Sequence, residues 1–278
     1  MFCNQCEQTA HCTACVDEVG VCGKNEDVQS LQETLLYGLK GMAAYAHHAR
    51  RLGAHDEQVS AFIEEALFAT MTNVNFDMES LLKLVLKCGE MNLRVMQLLN
   101  DGHVEHFGQP EIATVDHGVK QGPAILVTGH DLLDLWNLLE QVRAKAPQVN
   151  VYTHGEMLPA HMYPKLKNHP NLAGHVGGAW QKQKQEFAAF GGAVLGTTNC
   201  VLIPLERYRD RMFTTRVTAV PGATVIEGDD FSAVIDKAVE VGPLSAAPEE
   251  PAQSTVGFHH SVILGLADTI VEAVKQGK

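Results

Sequence analysis

Five of the chain's seven cysteines, Cys3, Cys6, Cys12, Cys15 and Cys22, fall in its first 22 residues; Cys88 and Cys200 stand apart. The start, Met-Phe-Cys-Asn-Gln-Cys, has neither the basic n-region nor the apolar h-region of a secretory signal. In a reducing compartment such clustering points to metal or redox chemistry rather than to disulfides. Cys3 and Cys6 form a C-x2-C pair; eight residues separate Cys6 from Cys15 and six separate Cys15 from Cys22. A C-x2-C turn lets two sulfurs converge while neighbouring backbone amides face the same centre and tune its potential. Cys12 makes a second C-x2-C pair with Cys15, so five candidates compete for four places. Structural zinc is the rival, since four cysteines also suit a closed tetrahedral site. Zinc ribbons space their knuckles by about 15–20 residues, and here the second knuckle follows too soon. The softness and spacing of the ligands favour iron–sulfur.

A second set of reactive side chains lies where strands are expected to end. Ala124–Thr128 is a short apolar run after Gly-Pro and reads as a buried strand, followed by Gly-His130-Asp. Val149–Tyr152 reads as the next strand and is followed by Thr153-His154-Gly-Glu156. Gly192–Gly196 reads as another and is followed by Thr-Thr-Asn-Cys200. Ligands of open parallel sheets sit outside the carboxyl ends of the strands. One imidazole, one carboxylate and one thiol are therefore expected at one sheet edge, a mixture of hard and soft donors that suits iron. Taken singly, each has a plainer reading: His130 as a cap, Glu156 as a partner of a helix dipole, Cys200 as a buried apolar group. No G-x-G-x-x-G follows the first strand, so a dinucleotide is not supported. Cys88 reads as structural, His47 and His48 as surface groups, His161 and Trp180 as supporting or packing residues, and His259–His260 as a cap.

These residues need elements to hold them. The chain has 278 residues, 45% of them apolar and 19% charged, as in ordinary globular proteins. Its net charge of −12 argues against nucleic-acid binding through an overall basic surface. No stretch reads as a membrane span, so a cytoplasmic protein is expected. Residues 1–26 read as a cysteine-rich, cluster-binding loop. Residues 27–102 read as a three-helix bundle. Leu31, Leu35, Leu39, Met42 and Ala46 share one face of its first helix; Val59, Phe62, Ile63, Ala66 and Leu67 share one face of the second. Asp77 caps the third helix, which carries Leu81, Leu82, Val85, Met91, Val95 and Leu98 inward and stops at Gly102. Residues 103–121, with Gly108, Pro110 and Gly118, read as a linker. Residues 122–278 alternate strand and helix, the mark of a parallel sheet covered on its faces. Short strands are expected at 171–176, 217–220 and 223–226, helices at 180–190 and 230–241, and a loop at 244–254. A final helix from about 260 to 275 is expected to turn Val262, Ile263, Leu266, Ile270 and Val274 inward. The fold class is thus α/β: a cysteine loop and three-helix bundle followed by a Rossmann-like parallel-sheet domain.

Several motifs together resemble a known family. They are Met1-Phe-Cys-Asn-Gln-Cys6 with Cys15 and Cys22-Gly-Lys24, Thr72–Asp77, Thr128-Gly-His-Asp131, His154–His161, Thr198-Asn-Cys200 and Gly228-Asp-Asp-Phe231. The chain resembles the hybrid cluster protein, or prismane protein, family of hydroxylamine reductases. The resemblance implies a cubane-type cluster on Cys3, Cys6, Cys15 and Cys22, of the [4Fe–4S] rather than the [2Fe–2S] branch. It implies that His130, Glu156 and Cys200 are metal ligands of a hybrid iron–sulfur–oxygen cluster. The single bundle resembles the compact members. Family members continue into a further α/β domain that supplies three more cysteines, one persulfidated, and another Glu; this chain ends at Lys278. The chain then reads as a fragment, as one half of a site completed by a separate chain, or as a form without the hybrid cluster.

The function implied is two-electron reduction of hydroxylamine to ammonia, or reduction of nitric oxide in nitrosative stress defence, with the cubane relaying electrons. The alternative is an electron-transfer or redox-sensing protein that uses the N-terminal cluster alone. Implied partners are an electron-donating redox protein, a C-terminal domain or chain completing the hybrid cluster, and a second copy in a homo-oligomer, with neither nucleic acid nor membrane.

Overall fold

The computed structural model describes residues 1–278, the side chain of Glu249 aside. The chain forms two compact units, Met1–His106 and Phe107–Lys278.

In the first unit the cysteine loop has little regular structure beyond a 3-10 turn at Ala10–Cys12 and two isolated bridges, Cys3 to Cys15 and Val19 to Asn25. Three helices follow: α1 (Glu26–Arg51), α2 (Glu57–Ala69) and α3 (Met78–Phe107). Each starts on a side chain that accepts from orphan backbone N–H groups: Asn25 from Val28 N, Asp56 from Gln58 and Val59 N, Asp77 from Glu79 and Ser80 N. Leu35, Leu39 and Met42 of α1, Val59, Phe62 and Ala66 of α2, and Cys88, Met91 and Val95 of α3 form one buried core. Cys88 is thus structural, packed on Met42. Leu67 and Leu82, expected inward, are 43% and 48% exposed. Gly102 does not stop α3. A Cβ there would stand 3.3 Å from Leu52 Cδ1, so the glycine admits a close neighbour inside a helix that runs on.

The second unit is an eight-stranded sheet. Its strands are β1 (Ala113–Val119), β2 (Ala124–Thr128), β3 (Asn150–Thr153), β4 (Leu172–His175), β5 (Ala193–Gly196), β6 (Met212–Thr215), β7 (Thr224–Ile226) and β8 (Ala247–Val256). Their order is β7-β6-β5-β2-β3-β4-β1-β8, all parallel except β8, which runs antiparallel to β1. The helices are α4 (Leu132–Lys145), α5 (Pro164–Lys167), α6 (Gln183–Phe190), α7 (Glu206–Arg209), α8 (Ser232–Val241), α9 (His260–Gly265) and α10 (Ala267–Lys275). β2 and β5 are buried at every position, as parallel strands covered on both faces must be. Phe187 and Phe190 of α6 and Tyr208 of α7 pack on Leu126, Tyr152 and Val194. Among the described residues, no helix is long and apolar enough to cross a membrane.

Four expectations are corrected. Residues 103–121 are not a linker: they complete α3 and supply β1. Residues 244–254 are not all loop: β8 lies at the sheet edge, where its prolines cost no interior ladder bond. The strand in the 210s is β6, not 217–220. The last helix breaks at Leu266 into α9 and α10, and Ile263, Leu266, Ile270 and Val274 are 41–67% exposed. Periodicity says only that residues share a face, not that anything covers it.

Candidate metal centre

The sheet order explains why three residues distant in sequence meet. From β2 the chain steps out through β3 and β4 in one direction, whereas β5, β6 and β7 lie on the other side of β2. The connections leaving the carboxyl ends of the paired strands β2 and β5 therefore run to opposite sides, the topological switch point at which open α/β sheets bind ligands. His130 follows β2, Glu156 follows β3 and Cys200 follows β5. Their ligand atoms lie within 4.8 Å of one another. His130 Nε2 stands 2.8 Å from Glu156 Oε2, and Cys200 Sγ lies 3.6 Å from the same oxygen. His130 and Glu156 are exposed and Cys200 half-buried, so the set opens to solvent.

Each donor is held by local structure. Asp131 caps α4 by accepting from Leu133 and Asp134 N at 3.0 Å, which anchors the turn carrying His130. Gly129 has φ +106, and a Cβ there would meet Thr197 Oγ1 at 2.5 Å and Thr198 N at 2.7 Å. The β2 and β5 turns approach this closely only because the residue is glycine. Thr198 Oγ1 lies 2.8 Å from His130 Nδ1, leaving Nε2 to face the centre. A partner on the far ring nitrogen of this kind fixes the tautomer of a ligating histidine. Cys200 takes a left-handed conformation, φ +67. The fully buried Gln183 of α6 holds it there, donating from Nε2 to the carbonyls of Cys200 and Trp180 and accepting from Leu202 N at 2.8 Å. Burial first, and then the Glu156 carboxylate, push the Cys200 thiol above its usual pKa. An imidazole, a carboxylate and a thiol whose donor atoms converge in this way are the arrangement of a metal site.

Gly129, Thr198 and Gln183 did not stand out in the sequence. The glycine and the threonine lie inside motifs quoted for the resemblance, but Gln183 has no local signal at all. His154 is not in the donor set; it is buried between Thr128 Oγ1 at 3.2 Å and Glu186 Oε2 at 2.8 Å. His161 is buried too, against Thr153 Oγ1 at 2.8 Å, which it shares with His175 at 2.9 Å. Trp180 is 49% exposed, and His259 caps α9 through Ser261 N. The Gly228–Phe231 stretch is structural: Asp229 pairs with Arg216, which also holds the buried Asp134 at 2.5 Å, and Phe231 is fully buried.

In the cysteine loop, Cys3 and Cys15 are buried and joined by two backbone hydrogen bonds of 3.0 and 2.8 Å. Cys6 and Cys22 are half-buried and Cys12 is exposed. Backbone amides of Val21 and Ala10 facing the Cys15 sulfur, with a smaller contribution from the charge of Lys24, pull that thiol below its usual pKa. Among the described residues, the ready-made group of three donor side chains is His130, Glu156 and Cys200, not a set of loop thiols.

The family model described as Prismane/CO dehydrogenase matches residues 1–85 and 77–278. A hydroxylamine reductase of Moorella thermoacetica is 58% identical over 280 residues, covering all of this chain and 64% of that protein. One from Methanothermobacter thermautotrophicus is 50% identical over 278 residues with the same shares. The chain thus spans a little under two thirds of the length of these relatives. Among solved structures, a carbon monoxide dehydrogenase of Thermococcus sp. AM4 superposes with a TM-score of 0.69 at 14% identity, over 96% of this chain and 59% of that one. Carbon monoxide dehydrogenase IV of Carboxydothermus hydrogenoformans gives 0.68 at 14% identity, over 92% and 57%. At such identity these two show a shared fold.

Proposed function

Because the chain belongs to the Prismane/CO dehydrogenase family, we propose that it is an iron–sulfur oxidoreductase of the hydroxylamine reductase type. The observation that carries this reading is the meeting of His130, Glu156 and Cys200 at the switch point of the sheet. The reaction is the two-electron reduction of hydroxylamine, in which NH2OH, two protons and two electrons give NH3 and H2O. Reduction of nitric oxide is the other substrate reading.

The donor set fits iron. Imidazole, carboxylate and thiolate together suit a metal with both oxygen and sulfur partners. Three protein donors facing solvent leave coordination positions for a small substrate. Iron held by His130, Glu156 and Cys200 would supply Lewis acidity and electrons. The chain's own residues do the rest. Thr198 sets the ring orientation of His130, Glu156 Oε2 stands between imidazole and thiol, and Gln183 fixes the backbone that presents Cys200.

We assign the electron relay to a [4Fe–4S] cluster on Cys3, Cys6, Cys15 and Cys22. Amides directed at Cys15 favour its thiolate, as cluster ligation requires. Electrons come from a separate donor protein. The test is anaerobic reconstitution with iron and sulfide, reduction, and assay of ammonium formed from hydroxylamine. Turnover by the loaded chain is expected. A loaded chain that makes no ammonium would leave electron transfer through the N-terminal cluster as the function.

A further inference from the structure

Lysine is almost never fully buried unless it is paired, yet Lys24 is 1% exposed. Among the described residues its ammonium makes one hydrogen bond, to Gln32 Oε1 at 2.9 Å, and no carboxylate lies within ion-pair distance. Gln32 is itself fully buried and anchored by its Nε2 on the carbonyl of Asn75 at 3.0 Å. A neutral amide thus holds a buried cation in place, and its charge is left for something else to balance.

The loop shows where that balance lies. Gly20 N donates to Lys24 O at 2.8 Å, Gly23 N donates to Gly20 O at 2.9 Å, and Val19 bridges to Asn25. Residues 19–25 therefore close a tight hairpin with Cys22 at its tip. A Cβ on Gly20 would lie 3.6 Å from Lys24 O and 3.7 Å from Cys15 Cβ, so Lys24 and Cys15 flank the same glycine. Among the described residues the buried lysine thus lies two positions after Cys22 in a hairpin that backs onto Cys15, and its charge acts on the Cys15 sulfur.

We propose that Lys24 is the built-in counter-charge of the loop cluster and raises its reduction potential, with Gln32 as the residue that positions it. The inference rests on the cluster reading above. Reduction adds one electron, and so one negative charge, to the cluster; a fixed cation in a poorly solvated site favours that reduced form. Lys24 thereby tunes how readily the relay accepts an electron.

The test is a redox titration of the full, reconstituted chain, following the paramagnetic signal that Cys6→Ser removes, with iron and acid-labile sulfide counted in every sample. Lys24→Met, neutral and of similar length, is expected to lower the one-electron reduction equilibrium constant at least tenfold, about 59 mV downward. Lys24→Arg, which keeps the charge, is expected to stay near the parent value. Gln32→Glu places a carboxylate against Lys24 and is expected to lower the potential with Lys24 still present. A loaded Lys24→Met chain with an unchanged potential overturns the proposal. Should Lys24→Met not load, Gln32→Glu decides: a fall supports the proposal and no change overturns it. A wild-type chain that takes up neither iron nor sulfide overturns the cluster reading, and this inference with it.

Discussion

At position 129 no side chain fits. A Cβ would lie 2.5 Å from Thr197 Oγ1 and 2.7 Å from Thr198 N, at a φ of +106. Gly129→Ala must therefore part the β2 and β5 turns, carrying His130 away from Cys200. The expected outcome is loss of the iron held by His130, Glu156 and Cys200 with the loop-cluster signal intact, read as iron per chain alongside the paramagnetic spectrum. Full retention of iron would count against the geometry. In the loop, Cys12 is exposed with φ +57 whereas Cys15 is buried and bridged to Cys3. Cys6→Ser should abolish the cluster signal and Cys12→Ser leave it largely intact; loss with Cys12→Ser but not with Cys15→Ser would reverse the assignment. His130, Glu156 and Cys200 were legible in the sequence because each closes a short apolar run. Thr198 and Gln183 were not, because a residue that holds a ligand needs no spacing relative to it in the chain.

At the scale of elements, α6 is the support of the β5 turn. Gln183 opens it and satisfies the Cys200 and Trp180 carbonyls and Leu202 N from a fully buried position. Gln183→Leu removes the partner of the Cys200 carbonyl and of Leu202 N, at a cost of about 1–3 kcal/mol. It should also weaken iron retention without touching a ligand. Chemical denaturation and iron content measure the two effects; a stability change with unaltered iron binding would reduce Gln183 to a structural role. Apolar periodicity made α1 and α2 readable, and the Asp77 cap marked the start of α3. β1 and β8 were hidden for a physical reason. Both lie toward the sheet edge, where half-exposed polar residues and prolines are tolerated and the apolar signature of an interior strand is missing. Strand order, which creates the switch point, is a property of long-range pairing and leaves no local trace.

At the scale of the molecule, the second unit buries imidazoles that do not face the metal centre. Burial lowers the pKa of His161 to about 4 and that of His175 to about 3. An unfolded histidine titrates near 6.5. Between that value and the lowered ones the unfolded chain binds protons that the folded chain does not, so stability falls as the pH drops through this window. Each histidine contributes a slope of up to about 1.4 kcal/mol per pH unit. Thermal melts of the metal-free chain between pH 7.5 and 4.5 should show this loss, and His161→Gln with His175→Gln should flatten it. An unchanged slope in the double variant would place the acid sensitivity elsewhere. The chain spans 64% of the length of the Moorella and Methanothermobacter hydroxylamine reductases, and its three sheet-edge donors open to solvent.

The most direct measurement is iron per chain after anaerobic reconstitution, compared between the wild type and the His130→Ala, Glu156→Ala, Cys200→Ala triple variant. The wild type should hold iron beyond that of the loop cluster. The triple variant should lose that excess and keep the signal removed by Cys6→Ser. Equal iron in the two proteins would contradict the assignment of His130, Glu156 and Cys200 as iron ligands.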